Sequence, residues 1–83
     1  MFNLYDIVRL KKDRPDIKVN KNNTGTVIDI IKNENVYTVE FIDENNEAIE
    51  ESIYVYFKES DLMLVEPYDK FQPLTERPKP EAV

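Results

Sequence analysis

Three glutamates lie close together in the middle of the sequence, and paired carboxylates commonly act as the acid and base of hydrolytic enzymes. The three are Glu47, Glu50 and Glu51. Successive residues of a strand point to opposite faces of a sheet, so two neighbouring glutamates do not form one acid and base pair there. We therefore interpret these side chains as part of a solvated surface and predict no catalytic residue.

An oxygen-rich stretch that begins at Asp43 is similar to the start of a calcium-binding loop. Asp43, Asn45 and Glu47 occupy its first, third and fifth positions. The rest of the pattern fails, because Ala48 stands where the tight turn needs glycine and Tyr54 stands where the loop supplies a bidentate glutamate. The sequence therefore predicts no metal site.

The 83-residue sequence contains no histidine, no cysteine and a single glycine, Gly25. Without imidazole or thiol there is no histidine-based triad, no cysteine nucleophile, no disulfide and no zinc site of the usual ligands. A loop that cradles a phosphate group needs several glycines. The composition therefore argues against an enzyme and against a bound cofactor.

The charges are distributed unevenly along the chain, whose formal net charge is −6. Residues 1–32 carry seven cations and four carboxylates, whereas residues 33–66 carry one cation and ten carboxylates. An acidic segment of this kind steers a basic protein towards it, with a strength that falls as salt rises. A purely solubilising surface is the simpler alternative. The predicted partner-binding carboxylates are Glu44, Glu47, Glu50 and Glu51.

Two tyrosines and five cations are the other candidate binding residues. Tyr54 and Tyr56 fall on the outer face of a predicted strand, where tyrosine rings bind bases or a protein partner. A basic loop after the first strand supplies phosphate contacts in the alternative hypothesis, a small barrel that binds single-stranded RNA. Aspartates interrupt this loop, so nucleic acid is the less favoured partner. The cations are Lys11, Lys12, Arg14, Lys18 and Lys21.

The elements that position these residues are predicted to be short strands, because hydrophobic periodicity of the helical kind is missing. The clearest strand covers residues 36–42, where Tyr37, Val39 and Phe41 alternate with polar residues. Polar turns at 32–35 and 43–46 bound it. A 3-10 turn is expected over 58–62. The remaining strands are predicted over 5–10, 26–31, 51–57 and 63–66, which together give an all-β fold, a small five-stranded barrel.

The composition changes at Pro67, and four of the five prolines lie between there and the last residue. Proline removes a backbone donor and favours extended geometry in the residue before it. We therefore predict a barrel over residues 1–66 and a Pro-rich extended tail over 67–83. Tyr68, Phe71 and Leu74 recur every three residues of this tail, and the pattern leaves open whether they dock on the barrel.

Neither a leader peptide nor a membrane helix is predicted. The first six residues have no basic segment, and the longest apolar run is the five residues 53–57. A membrane helix needs about 20 apolar residues. We therefore expect a cytoplasmic protein that makes no contact with a membrane.

Four short segments carry a family resemblance: LYDIVRL at 4–10, TGTV at 24–27, YTVEF at 37–41 and ESDL at 59–62. They resemble SH3-like small barrels of the KOW and nitrile-hydratase-β type, and more closely an uncharacterised bacterial family of short SH3-like proteins recorded as a domain of unknown function. The resemblance implies a small accessory protein. One such protein is an antitoxin or immunity protein that binds and neutralises a toxin-like nuclease. An exposed edge strand is expected to join that contact or to pair two copies into a homodimer.

Overall fold

The structure is a computed structural model and describes residues 1–68. The described chain forms one antiparallel sheet in the order β4-β3-β2-β1-β5. This confirms the predicted all-β fold, with five short strands and a 3-10 turn directly before the last. The strands are β1 (Ile7–Leu10), β2 (Thr24–Ile31), β3 (Val36–Phe41), β4 (Phe57–Lys58) and β5 (Leu62–Glu66), and the 3-10 helices are η1 (Pro15–Ile17), η2 (Glu50–Tyr54) and η3 (Glu59–Asp61).

The hydrophobic core follows the alternation that the sequence predicts for β3. Tyr37, Val39 and Phe41 are buried, and every second residue of β3 faces the interior. The Phe41 and Phe57 rings meet edge to face, with centroids 5.5 Å apart. Such a pair adds about 1 kcal/mol to the stabilisation that burial provides. Further core side chains are those of Val8, Leu10, Ile17, Val19, Val27 and Leu62.

Strand β2 contains a β-bulge that bends it. Val27 pairs with Val39 and Asp29 pairs with Thr38, so Ile28 is an extra residue on β2. The burial alternation breaks at this point and leaves Ile28 exposed. Because a bulge bends its strand, β2 pairs with β1 through its first three residues and also follows β3 to its end.

Gly25 is the second residue of β2, and a close approach of β3 explains why glycine is needed there. A Cβ atom built there would lie 2.6 Å from Cγ1 of Val39 and 2.7 Å from Cδ1 of Phe41. The predicted polar turns are also present, and Asn35 and Asn46 adopt left-handed backbone conformations with φ of 56° and 63°. Asparagine tolerates this conformation better than most residues.

The prediction of a strand over 51–57 is wrong for most of that range. Glu50–Tyr54 is the 3-10 helix η2, and β4 contains only Phe57 and Lys58. The first strand is also shorter than predicted, since it begins at Ile7. The predicted Pro-rich tail falls almost wholly outside the described residues.

A buried hydroxyl explains why η2 forms where alternation suggested a strand. Ser52 is fully buried, and its Oγ donates to the Ile49 carbonyl oxygen at 2.8 Å. Oγ of Ser52 also accepts a hydrogen bond from the Phe41 N–H at 3.1 Å. These bonds fold the segment back against β3, so its own backbone cannot continue the sheet. Within residues 1–68 no helix has the length and apolar character needed to cross a membrane.

Candidate functional site

The four predicted partner-binding glutamates lie on the connection between β3 and β4, residues 42–56, which we call the acidic connection. Its first part is a turn closed by a bridge between Ile42 and Ala48. Oδ1 of Asp43 accepts hydrogen bonds from the N–H groups of Asn45 at 2.8 Å and Glu47 at 3.0 Å. This carboxylate therefore organises the turn. Among residues 1–68 no three acidic side chains come together in a cluster that could hold a metal ion.

The second part of the acidic connection is η2, which begins with Glu50 and Glu51. Glu50 is exposed, whereas Glu51 forms an ion pair with Lys18, with 3.0 Å between Oε2 and Nζ. The hydrogen bond from its own backbone N–H lowers the pKa of Glu51, and the hydrogen bond from Lys18 lowers that pKa further. The acidic connection is thereby tied to the loop between β1 and β2.

An open groove of about 430 Å³ runs between the acidic connection and that loop. Asp43, Glu44, Glu50 and Glu51 line one side of it. Lys18 is the single cation among its lining residues in the described part of the chain. Among the groove's lining residues in that part of the chain, carboxylates therefore outnumber cations four to one.

Tyr54 and Tyr56 follow these carboxylates along the acidic connection and are 77% and 62% exposed. They do not share a strand face, since Tyr54 ends η2 and Tyr56 follows it. Side chains three residues apart eclipse in a 3-10 helix, so Tyr54 lies on the same side of η2 as Glu51. Within residues 1–68 neither tyrosine ring contacts another ring. The exposed Tyr54 ring and the Glu51 side chain therefore lie on the same side of η2.

Tyr68, the last described residue, contacts Tyr5 and Asp6. Its ring meets that of Tyr5 with centroids 5.5 Å apart, and its N–H donates to Oδ1 of Asp6 at 2.8 Å. The other predicted tail anchors, Phe71 and Leu74, lie outside the described residues. The described start of the tail therefore leaves Tyr54 and Tyr56 uncovered.

The five candidate nucleic-acid-binding cations divide into two groups. Arg14 makes two hydrogen bonds to Asp16, at 3.0 and 2.9 Å, and lies 5.9 Å from the centroid of the Phe57 ring. This pairing lowers the pKa of Asp16 and raises that of Arg14. Lys18 is held by Glu51. Within residues 1–68 the three remaining cations form no ion pair, and they are Lys11, Lys12 and Lys21.

Two further features were not predicted from the sequence. Asp6 is 3% exposed and accepts hydrogen bonds from the N–H groups of Asn3 and Tyr68. A lone aspartate before a strand gives no sequence signal for this role. The second feature is the exposure of Met63, Leu64 and Val65 in the predicted last strand, which identifies β5 as an exposed edge.

Comparisons with curated proteins and with solved structures find no significant match. A family model described as Domain of unknown function (DUF4926) matches residues 4–63. The matched range contains β1 to β4, the basic loop and the whole acidic connection. It confirms the expected membership of a family recorded as a domain of unknown function. The chain belongs to the DUF4926 family.

Proposed function

We propose that this protein is a non-catalytic interaction module that binds a basic protein through the acidic connection. The observation that carries the proposal is the composition and exposure of that surface. Residues 42–56 hold five carboxylates and no cation, and they include Tyr54 and Tyr56, both more than half exposed. Within residues 1–68 the one ion pair made there uses Lys18 of a neighbouring loop.

An arginine side chain fits this combination of groups. Its planar guanidinium binds carboxylates through paired hydrogen bonds and also stacks on tyrosine rings. At an exposed site each ion pair and each cation–π contact contributes only about 0.5–1 kcal/mol. Several contacts must therefore act together, which favours a partner with a broad basic surface over one with a single basic residue.

A toxin-like nuclease is one such partner, since a surface that binds phosphates is basic. The protein then acts as an antitoxin or immunity protein, or more generally as a cytoplasmic accessory protein of a bacterium. The SH3-like assignment belongs to the same proposal. It is supported by the pairing of β5 with β1 and by the 3-10 helix η3 directly before β5.

Titration with a synthetic arginine-rich peptide tests the proposal. The variant with glutamine at positions 44, 47, 50 and 51 is expected to bind at least about tenfold more weakly at low salt, because several ion pairs are lost. For a matched single comparison, Glu50→Gln weakens binding and Glu34→Gln, in the exposed turn between β2 and β3, does not. Equal affinity of the wild-type protein and the four-fold variant would contradict the proposal.

Association rates test the electrostatic part separately. Replacement of the same four glutamates by lysine is expected to slow association with the peptide at low salt and to change it much less at high salt. Equal association rates at low salt would show that the acidic connection does not steer the partner.

Single-stranded RNA is the alternative ligand, and it uses different residues. Lys11, Lys12 and Lys21 remain free of ion pairs within residues 1–68, whereas Arg14 and Lys18 are engaged. An oligouridine probe distinguishes the two hypotheses. RNA binding is expected to be salt-sensitive and to be lost when the three free lysines are replaced by glutamine. If this result is found and the peptide does not bind, the RNA-binding hypothesis replaces the protein-binding proposal.

A further inference from the structure

Among the described residues, strand β5 is an edge of the sheet. It pairs with β1 on one side, and apart from that ladder its one backbone hydrogen bond within residues 1–68 runs from the Leu62 N–H to the Glu59 carbonyl oxygen. Met63, Leu64 and Val65 are 42%, 49% and 46% exposed. An edge with unpaired N–H and C=O groups is a template for another strand, and proteins usually protect it with charged residues. The three central residues of β5 carry no charge.

The edge is regular over only part of its length. Ile7 pairs with Glu66 and Val8 pairs with Leu64, so Val65 is an extra residue on β5. A bulge of this kind interrupts the ladder and twists the strand. Main-chain pairing with a new strand is therefore confined mainly to Leu62–Leu64, where the Leu62 N–H is already bonded to Glu59, and the apolar side chains must supply much of the contact.

The charges around β5 are arranged in opposite senses at its two ends. Arg9 pairs with Met63 near the start of β5, and the Lys11 N–H donates to the Asp61 carbonyl oxygen just before it. Neither side chain forms an ion pair within residues 1–68, and Nε of Arg9 is buried there without a hydrogen-bond partner. Glu66 lies at the other end of β5. Glu59 and Asp61 also precede β5, but Glu59 is paired with the N-terminal amine and Asp61 accepts a hydrogen bond from the Lys58 N–H. Cations therefore still outnumber carboxylates around the start of the strand, and a carboxylate stands at its end.

We propose that two copies of this chain pair antiparallel along β5, about a twofold axis. In this arrangement Glu66 of each copy lies beside the start of β5 in the other copy. It then lies about 10 Å, two strand spacings, from the β1 residues Arg9 and Lys11, within reach of their long side chains. Parallel pairing would instead place the two Glu66 carboxylates side by side. Charge complementarity therefore selects a second copy in the antiparallel orientation, the symmetry that most dimers adopt.

The pairing uses no residue of the acidic connection, so the proposed dimer does not depend on the proposed function. Because the regular ladder is short, the dimer is weak, with a dissociation constant of roughly 10 µM to 1 mM.

Sedimentation equilibrium of the full chain across that range of concentrations tests the dimer. The mass of the wild-type protein is expected to rise towards twice the monomer mass. Met63→Lys and Val65→Lys each place a charge on the edge and are expected to weaken association at least about tenfold. Ile28→Lys is the matched control, since Ile28 is exposed to a similar degree but lies on β2, and it should associate like the wild-type protein. A wild-type protein that stays monomeric up to about 1 mM overturns the proposal.

Glu66→Gln distinguishes the two orientations. It weakens an antiparallel dimer, because an attraction to Arg9 and Lys11 is lost, and it strengthens a parallel dimer, because a repulsion is lost. Stronger association of Glu66→Gln therefore overturns the proposed geometry.

Amide exchange in the wild-type protein tests the interface without any substitution that might unfold the chain. Protection at Leu64 is expected to rise with protein concentration, while protection along the acidic connection stays constant. Concentration-dependent protection confined to β4 or to η2 overturns the assignment to β5.

Discussion

At the scale of single residues, Asp6 joins the two ends of the described chain. Its Oδ2 accepts the Asn3 N–H and its Oδ1 accepts the Tyr68 N–H, each at 2.8 Å. No pattern around Asp6 predicts these bonds, because both donors are backbone groups placed by the fold. Gly25 directly precedes the strand predicted over 26–31, but the lack of space for a Cβ atom became visible only in the packing of β3.

Asp6→Asn is expected to lower the free energy of unfolding by about 1–3 kcal/mol. The amide keeps one acceptor oxygen but presents an NH₂ group to a backbone donor, so one buried N–H loses its partner. Urea unfolding measures the change. Asp29→Asn, at an exposed site, is the control and should be nearly neutral. A value for Asp6→Asn that matches the control would contradict the assigned role.

Gly25→Ala should destabilise the protein by about 1–3 kcal/mol, because the added methyl group overlaps Val39 and Phe41. The sign of the effect is informative. Where space allows, replacing glycine by alanine stabilises a protein by about 0.4–1 kcal/mol, because it lowers the conformational entropy of the unfolded chain. A Gly25→Ala variant with a higher melting temperature than the wild-type protein would show that the approach is not tight.

The pKa of Glu51 provides a test of the link between the acidic connection and the basic loop. A pKa lowered in the folded state stabilises the protein above the ordinary pKa of glutamate, and this contribution is lost as the pH falls through the lowered value. In Lys18→Gln the pKa of Glu51 should rise but remain below its ordinary value, because its backbone hydrogen bond is the larger cause. Carboxyl-carbon NMR titration measures it, and an unchanged pKa in Lys18→Gln would contradict the pairing.

At the scale of elements, alternation of apolar residues predicted β3 correctly and failed for residues 51–57. The two segments have the same pattern, but only β3 has a neighbouring strand along its whole length. The second segment contains Ser52, whose hydroxyl finds both of its partners in the folded structure. One of them, Phe41, is 11 residues away, so local sequence carries no sign of the bond. As a result Tyr54 and Tyr56 are exposed, as expected, but on a 3-10 helix and the segment after it.

Ser52→Ala should therefore destabilise the fold by about 1–3 kcal/mol, because it leaves the buried Phe41 N–H without an acceptor. Ser60→Ala, at an exposed position of η3, is the matched control and should change stability by less than about 0.5 kcal/mol. Thermal unfolding measures the melting temperatures of both variants. Equal melting temperatures would show that the Ser52 hydroxyl does not hold η2 in place.

At the scale of the whole molecule, the uneven charge distribution was visible in the sequence, but the use of the charges was not. The ten carboxylates of residues 33–66 could be counted from the sequence, and five of them fall on the acidic connection. The ion pairs from Arg14 to Asp16 and from Lys18 to Glu51 depend on how the loops meet. They remove two cations from the basic loop. This weakens the RNA-binding alternative more than the net charge of −6 did.

NMR titration of the wild-type protein with the arginine-rich peptide addresses the proposed function most directly, because it locates the contact without altering any residue. The amide signals of residues 43–56 are expected to shift, with the largest changes near Glu50, Glu51 and Tyr54, and the shifts should decrease as salt is added. Shifts confined to the basic loop at 11–21, or none at low salt, would contradict a partner-binding role for the acidic connection.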